Sequence, residues 1–130
     1  MNPPDMPCPC GLARRHAGCC GRWHAGPQHL QAPDAEALMR SRYSAFVLGL
    51  NEYLLATWHP RTRPAALPPM DKALRWLGLD VRRPQPSDDH HAVVEFVARS
   101  KLAGRAVRLH EISRFVREDG RWWYVDGDVG

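Results

Sequence analysis

The spacing of apolar residues predicts a long amphipathic helix that begins near residue 35. Apolar side chains over 35–50 form one broad stripe on a helical wheel. Asp34 is suited to cap the N-terminus of this helix, and Gly49 is suited to end it. We therefore expect a helix that packs one face against a core.

Two shorter helices are expected after it. The first runs over 52–58 with Asn51 as its cap, and the second over 71–77, ending at Gly78. The segment between them, 60–69, contains four prolines, which predicts a stiff loop.

From residue 79 onward the apolar period changes to two, which predicts β-strands. The expected strands are 91–101, 105–117 and 121–127, with a weaker one at 79–83. Two-residue turns at Ala103-Gly104 and Asp119-Gly120 would join them as hairpins. Helices followed by an antiparallel sheet indicate an α+β fold with the helices on one sheet face.

The two turns also predict the register of the hairpins. Phe96 should face Glu111, Phe115 should face Tyr124, and Ser113 should face Asp126. One sheet face then carries the apolar side chains that suit a helix-covered core, with three polar groups at one end. These residues are Val94, Phe96, Ala98, Val107, Leu109, Phe115 and Tyr124, with Glu111, Ser113 and Asp126.

Composition and length narrow the class of protein. The chain has 130 residues, 44% hydrophobic and 25% charged, which suits one globular domain with a real core. Its longest apolar run, 45–50, is too short to span a membrane, and its N-terminus lacks the features of a secretion signal. We expect a cytoplasmic protein without a membrane partner, in a compartment where thiols stay reduced.

All four cysteines lie within thirteen residues, in the spacing Cys8-x-Cys10-x₈-Cys19-Cys20. Four thiolates complete a closed tetrahedral shell, so we predict a structural Zn²⁺ site. A redox pair, a Cys19–Cys20 disulfide and four unrelated thiols remain open alternatives. Three histidines could substitute as ligands, although four cysteines already fill the shell. They are His16, His24 and His29.

These patterns divide the chain into a loop-built zinc module, 1–33, and an α+β domain, 34–130. The cysteines lie outside the amphipathic elements. We therefore expect loss of the metal to disorder the module and to leave the α+β domain folded.

The basic charge does not by itself indicate a nucleic-acid partner. The net charge is +4, and 16 of the 18 basic residues are arginine. Residues 1–33 hold three arginines and one aspartate, formally +2. Four thiolates around one Zn²⁺ add −2, so the module becomes neutral. A nucleic-acid partner is not favoured on these grounds.

The cysteine segment resembles the SEC-C motif. Cys8-Pro-Cys10-Gly and Cys19-Cys20-Gly carry the likeness, although Gly11-Leu-Ala-Arg14 stands where the motif usually has Gly-Ser-Gly-Lys. The motif is a zinc-binding element of the preprotein-translocation ATPase, where it engages a partner chaperone. The resemblance implies a protein partner for the zinc module.

The rest of the chain is similar to the YchJ family of bacterial proteins. The matching segments are 37–46 (ALMRSRYSAF), 53–58 (YLLATW), 109–115 (LHEISRF) and 122–127 (WWYVDG). The resemblance implies the cone-shaped α+β fold of nuclear transport factor two for 34–130, in agreement with the helix and strand pattern. No enzymatic activity carries over from it, and we lean against an enzyme.

A polar group is expected inside this domain. Arg42 falls within the apolar stripe of the long helix, and Glu111 lies on the core-facing side of the sheet. We predict a buried Arg42–Glu111 ion pair, which is either structural or part of a ligand pocket. The candidate pocket residues are Arg42, Tyr43, His59, Glu111, Ser113, Tyr124 and Asp126.

The sequence thus predicts a zinc-binding protein whose module contacts a protein partner and whose cone domain is a scaffold or holds a small-molecule ligand. One alternative is a lyase- or isomerase-like enzyme that uses the pocket. The other is a nucleic-acid or ribosome-associated factor. A pocket filled by side chains favours a scaffold, and an open pocket with an unpaired carboxylate favours an enzyme.

Overall fold

The computed structural model describes residues 6–12, 14–68, 73–86 and 88–129. A 3₁₀ turn (His16–Gly18) precedes helices α1 (Gly21–His24), α2 (Ala35–Leu48) and α3 (Asn51–Ala56). Four strands follow: β1 (Leu74–Pro86), β2 (His91–Leu102), β3 (Arg105–Glu118) and β4 (Arg121–Val129). None of the helices in the described part of the chain has the length and apolar character needed to cross a membrane.

Helix α2 forms where the apolar stripe predicts it. The Asp34 carboxylate accepts the backbone N–H of Ala37 at 2.7 Å and so caps the first turn. Gly49 ends the helix in a left-handed conformation, with φ of 74°. Helix α3 begins at Asn51 instead of being capped by it, and the Asn51 side-chain amide donates to the Pro68 carbonyl.

The predicted helix over 71–77 is wrong. Residues 71 and 72 lie outside the described residues, and the remainder from Leu74 belongs to strand β1. Leu74 pairs with Leu102 and Trp76 with Ser100, so β1 extends along the full length of β2. Pairing with a long neighbouring strand overrides the weak local preference for helix.

The sheet is an antiparallel meander in the order β1-β2-β3-β4. Its last two hairpins confirm the predicted turns. Ala103 and Gly104 have φ of 51° and 79°, and Asp119 and Gly120 have φ of 54° and 75°. Two successive positive φ angles are the signature of the type I′ turn, which matches the twist of paired strands.

The register follows the prediction except at one point. Phe96 faces Glu111 and Phe115 faces Tyr124, as expected. A bulge between Arg114 and Phe115 shifts the rest of β3 against β4, so that Ser113 faces Gly127 instead of Asp126. One extra residue in β4 moves every following side chain of that strand to a new partner.

The core lies between α2 and the sheet face that the apolar alternation predicts. Buried side chains from both layers form one cluster with members from the N-terminal segment and α3. The cluster comprises Trp23, Ala32, Ala35, Leu38, Met39, Tyr43, Ala45, Tyr53, Leu54, Ala92, Val94, Phe96, Ala98 and Phe115.

Candidate functional site

Four cysteine sulfurs meet at one buried point of the N-terminal segment. Their Sγ atoms all lie within 4.8 Å of one another, and each residue is at most 5% exposed. None of the four forms a disulfide. The structure therefore brings together the four side chains that the spacing singled out: Cys8, Cys10, Cys19 and Cys20.

Backbone contacts fold the loop so that the two cysteine pairs face each other. The N–H of Cys8 donates to the Arg14 carbonyl at 2.9 Å, and Pro7 and Arg15 form an antiparallel bridge. Gly21 begins α1 directly after the second pair, where a Cβ would lie 2.6 Å from the His16 carbonyl oxygen. Only glycine fits at that point of close approach.

The thiols are arranged so that they compete for ionisation. The hydrogen bond from Cys10 holds the pKa of Cys8 well below its ordinary value, and burial raises the pKa of Cys19 to about 11. Hydrogen bonding to Cys10 raises the pKa of Cys20 as well. A divalent cation would remove this conflict, because it stabilises all four thiolates at once.

The donor set fits zinc. Four thiolates around one point suit a closed, tetrahedral structural site, which leaves no position for a catalytic water. The sulfurs would hold the ion, and the ion would supply cross-linking of the loop.

The three neighbouring histidines have other contacts. His16 Nε2 lies 3.0 Å from His24 Nδ1. The other ring nitrogen of His24, Nε2, lies 2.9 Å from the Ser41 carbonyl oxygen of α2. The rings of His24 and His29 both pack near Tyr53. Burial lowers the pKa of His24. These histidines join the loop to the helices.

The cysteine loop is docked on the α2 helix by side chains that cross the predicted boundary at residue 33. Arg40 donates to the Cys10 carbonyl at 2.9 Å, and the Ser44 hydroxyl lies 3.6 Å from the Cys8 sulfur. Trp23, 7% exposed, belongs to the main core cluster. The division into 1–33 and 34–130 stays a prediction, but buried contacts connect the two parts.

A second candidate site is the cavity between α2 and the sheet, which we call the helix–sheet pocket. It encloses about 300 Å³, so side chains do not fill it. Its walls are mostly aromatic and aliphatic. The residues that line it are Met39, Arg42, Tyr43, Phe46, Trp58, Trp76, Phe96, Ala98, Leu109, Glu111, Ser113, Phe115 and Tyr124.

Five of the seven predicted pocket residues line this cavity, and two lie elsewhere. His59 Nε2 pairs with the Glu118 carboxylate at 2.8 Å, outside the lining. Asp126 pairs with Arg114 at 2.6 Å on the other face of the sheet. The bulge at Arg114 explains the second error, because it turns Asp126 away from the core-facing side.

Arg42 is buried as predicted, but its predicted ion pair with Glu111 is wrong. Its Nη1 atom donates to the Leu54 carbonyl at 2.8 Å and to the Thr57 hydroxyl at 2.7 Å. No carboxylate among the described residues lies within 4.0 Å of the guanidinium. Both acceptors come from the C-terminal end of α3, where Thr57 is the C-cap residue. Arg42 therefore finds its hydrogen-bond partners on α3 and not on the sheet.

Two aromatic rings flank the guanidinium. The Arg42 Cζ atom lies 4.4 Å from the ring centre of Tyr124 and 5.2 Å from that of Trp58. Burial lowers the pKa of Arg42 to about 10, and the neighbouring Tyr124 and Glu111 oppose that shift. Arg42 is thus a cation at neutral pH, held by rings and neutral acceptors.

Glu111 faces the pocket with partners of its own. Its carboxylate accepts the hydroxyl of Ser113, and the Tyr124 hydroxyl lies 3.4 Å from it. Gly127 makes room for this arrangement, because a Cβ there would lie 2.8 Å from the carboxyl carbon. Burial raises the pKa of Tyr124 to about 12, so it remains a donor at neutral pH.

Sequence reasoning missed the small polar residues that hold the helices together. Ser41, Ser44 and Thr57 are almost fully buried. Ser41 bonds the Tyr53 hydroxyl at 2.7 Å, and Thr57 receives Arg42. The available signal was the position of the two serines beside the apolar stripe of α2, where a polar side chain needs an internal partner.

Comparison with known proteins identifies the family of this chain. The family model described as "YchJ, middle NTF2-like domain" matches residues 34–127. A UPF0225 protein of Bordetella parapertussis is 63% identical over 129 residues, covering 98% of this chain and 97% of that protein. One from Methylibium petroleiphilum is 63% identical over 124 residues, covering 95% and 89%.

Two solved structures are similar over nearly the whole chain. The solution structure of a SEC-C motif containing protein from Rhodopseudomonas palustris has a TM-score of 0.79 and 30% identity, covering 96% of this chain and 99% of that one. The crystal structure of a SEC-C motif containing protein from Psychrobacter arcticus has a TM-score of 0.79 and 31% identity, covering 98% and 84%. The predicted fold class, a nuclear-transport-factor-2-like domain after a cysteine module, is confirmed.

Proposed function

Because this chain belongs to the YchJ family, we propose that it is a zinc-binding protein in which the metal cross-links the N-terminal loop and the cone domain binds a ligand. The observation that carries the zinc proposal is the cluster of four buried cysteine sulfurs within 4.8 Å. The SEC-C motif in the names of both structural neighbours supports it. We further propose a cytoplasmic location, where these thiols stay reduced.

Purified protein is expected to contain one zinc ion per chain. Four-thiolate sites bind zinc with about 10–16 kcal/mol of apparent free energy, so the metal should survive purification without chelator. Elemental analysis by plasma mass spectrometry measures the content. Less than about half an equivalent, in protein that is folded and has four reduced thiols, would contradict the proposal.

The second part of the proposal is that the zinc module contacts a protein. Arg14 and Arg15 of this module are exposed, whereas its Cys10 carbonyl is bonded to Arg40 of α2. A zinc-thiolate centre cancels the local positive charge, which favours a protein over a nucleic acid.

We expect replacement of Arg14 and Arg15 by alanine to weaken capture of the partner protein by at least about fivefold, since a few interface residues carry most of the binding energy. The matched control replaces Arg105 and Arg108, which are exposed on β3, and should leave capture unchanged. Affinity capture with quantitative mass spectrometry, with and without ribonuclease, makes the measurement. Capture that disappears after ribonuclease treatment would instead promote the nucleic-acid alternative.

The observation that favours a ligand-binding domain over a scaffold is the open volume of the helix–sheet pocket. A cavity of about 300 Å³ with apolar walls and a few polar groups matches the usual small-molecule site. The enzyme alternative would require a free acid or base, and Glu111 is already engaged by Ser113. Binding without turnover is therefore our proposal for the cone domain.

A further inference from the structure

The size of the helix–sheet pocket limits its ligand. A cavity of about 150 Å³ lined by apolar side chains accommodates one benzene molecule. The helix–sheet pocket is about twice as large, at roughly 300 Å³. Aromatic rings line much of it, including Tyr43, Phe46 and Trp76. The cavity therefore suits a compact ring compound of about ten to twelve non-hydrogen atoms.

Two side chains of the pocket hold N–H donors without a hydrogen-bond partner among the described residues. Only Nη1 of Arg42 has hydrogen-bond partners among the described residues, which leaves Nε and Nη2 free to donate. The indole N–H of Trp58 is buried and has no partner there either. The guanidinium carbon lies 5.2 Å from the Trp58 ring centre, so the two side chains that carry these donors adjoin. A ligand that offers an acceptor would satisfy them.

The charge of the pocket indicates that this acceptor is neutral. Arg42 contributes one positive charge, and Glu111 contributes one negative charge to the same cavity. A ligand carboxylate would add a second negative charge without a counter-ion among the groups that line the pocket, and an uncompensated charge in an apolar cavity is costly. An uncharged carbonyl oxygen accepts hydrogen bonds without this cost.

We propose that the helix–sheet pocket binds uncharged, compact ring compounds whose carbonyl oxygen accepts hydrogen bonds from Arg42 and Trp58. This inference rests on the proposed ligand-binding role of the cone domain and is independent of the zinc proposal.

Three probes of similar size separate ring, carbonyl and charge. They are 1-tetralone (ring and carbonyl), tetralin (ring alone) and 1-naphthoate (ring and carboxylate). Titrations of full-length, zinc-loaded protein are followed by ¹H–¹⁵N NMR, which resolves the indole N–H signals. We expect 1-tetralone to bind with a Kd of about 1 mM or tighter, roughly threefold to tenfold tighter than either other probe. The indole N–H proton of Trp58 should move downfield with 1-tetralone, as formation of a hydrogen bond requires, and not with the other two probes.

Two variants test the assignment of the site. Trp58→Phe should reduce the threefold to tenfold preference for 1-tetralone over tetralin, because it deletes one of the two donor groups and keeps an aromatic wall. The matched control is Trp123→Phe. The indole N–H of Trp123 donates to the Glu118 carbonyl outside the pocket, so this substitution should not affect binding. Ala98→Leu, which fills the cavity, should abolish binding of all three probes.

The outcomes that would overturn the inference are distinct. If no probe binds up to about 2 mM, or if Ala98→Leu leaves binding intact, the ligand-binding role of the pocket itself fails. If probes bind but tetralin or 1-naphthoate equals 1-tetralone, the ligand-binding role stands and the neutral-carbonyl inference is wrong. A Trp58→Phe variant with unchanged preference for 1-tetralone also overturns the hydrogen-bond assignment.

Discussion

Replacing Cys19 and Cys20 together by serine is expected to abolish metal binding and to lower the melting temperature of the whole protein by about 20 °C or more. The loss of a structural zinc site removes roughly 10 kcal/mol or more, which is comparable with the entire stability of a small domain. Trp23 and Ala32 belong to the same buried cluster as helix α2 and the sheet. Freeing the loop therefore opens the core.

Calorimetry and circular dichroism measure this change, alongside the zinc content. Arg15→Ser is the control, because Arg15 is exposed in the same loop and is not one of the four candidate ligands. Chelation of the wild-type protein should reproduce the effect, and added zinc should reverse it. An unaltered transition for 34–129 after loss of the metal would restore the expectation from sequence that the two parts fold independently.

The second large effect is expected from Arg42→Met, which should cost about 3 kcal/mol of unfolding free energy. The substitution leaves the Leu54 carbonyl and the Thr57 hydroxyl without their buried donor, and it removes the cation from the Tyr124 ring. Relief from burying a charge offsets part of the loss. Chemical denaturation followed by tryptophan fluorescence gives the measurement.

Double-mutant cycles identify the partner of Arg42. Coupling with Thr57→Val should be about 1–2 kcal/mol, because the two side chains are in direct contact at 2.7 Å. Coupling with Glu111→Gln should be below about 0.5 kcal/mol, because no ion pair joins these residues. The reverse order of the two couplings would favour the ion pair expected from the sequence.

Local patterns in the sequence were sufficient for most of the fold. The helix after Asp34 and the strands from residue 91 depend on an N-cap, a period of apolar positions and two-residue turns, all of which act over a few residues. Strand β1 depends instead on a neighbour as far as 28 positions away, since Leu74 pairs with Leu102. A local pattern carries little information about such a partner.

The sites show the same division. The cysteine cluster could be expected, because four cysteines so close in sequence with metal-ligand chemistry favour one shared site. The partner of Arg42 could not, because Leu54 contributes a backbone carbonyl, which every residue has and no sequence pattern marks. Asp126 was misplaced because a single bulge at Arg114 reverses the side of the sheet on which it lies.

The docking of the cysteine loop on helices α2 and α3 has a consequence for synthesis on the ribosome. Among the described residues, the side-chain hydrogen bonds and ring contacts from 6–32 to the rest of the chain reach no further than Tyr53. The four cysteines and the helical residues that bond to their loop are thus all translated before the sheet. With zinc in the proposed site, the ion could be captured while the sheet is still being made, so the zinc supply during synthesis would affect how much of the newly made chain reaches the native state.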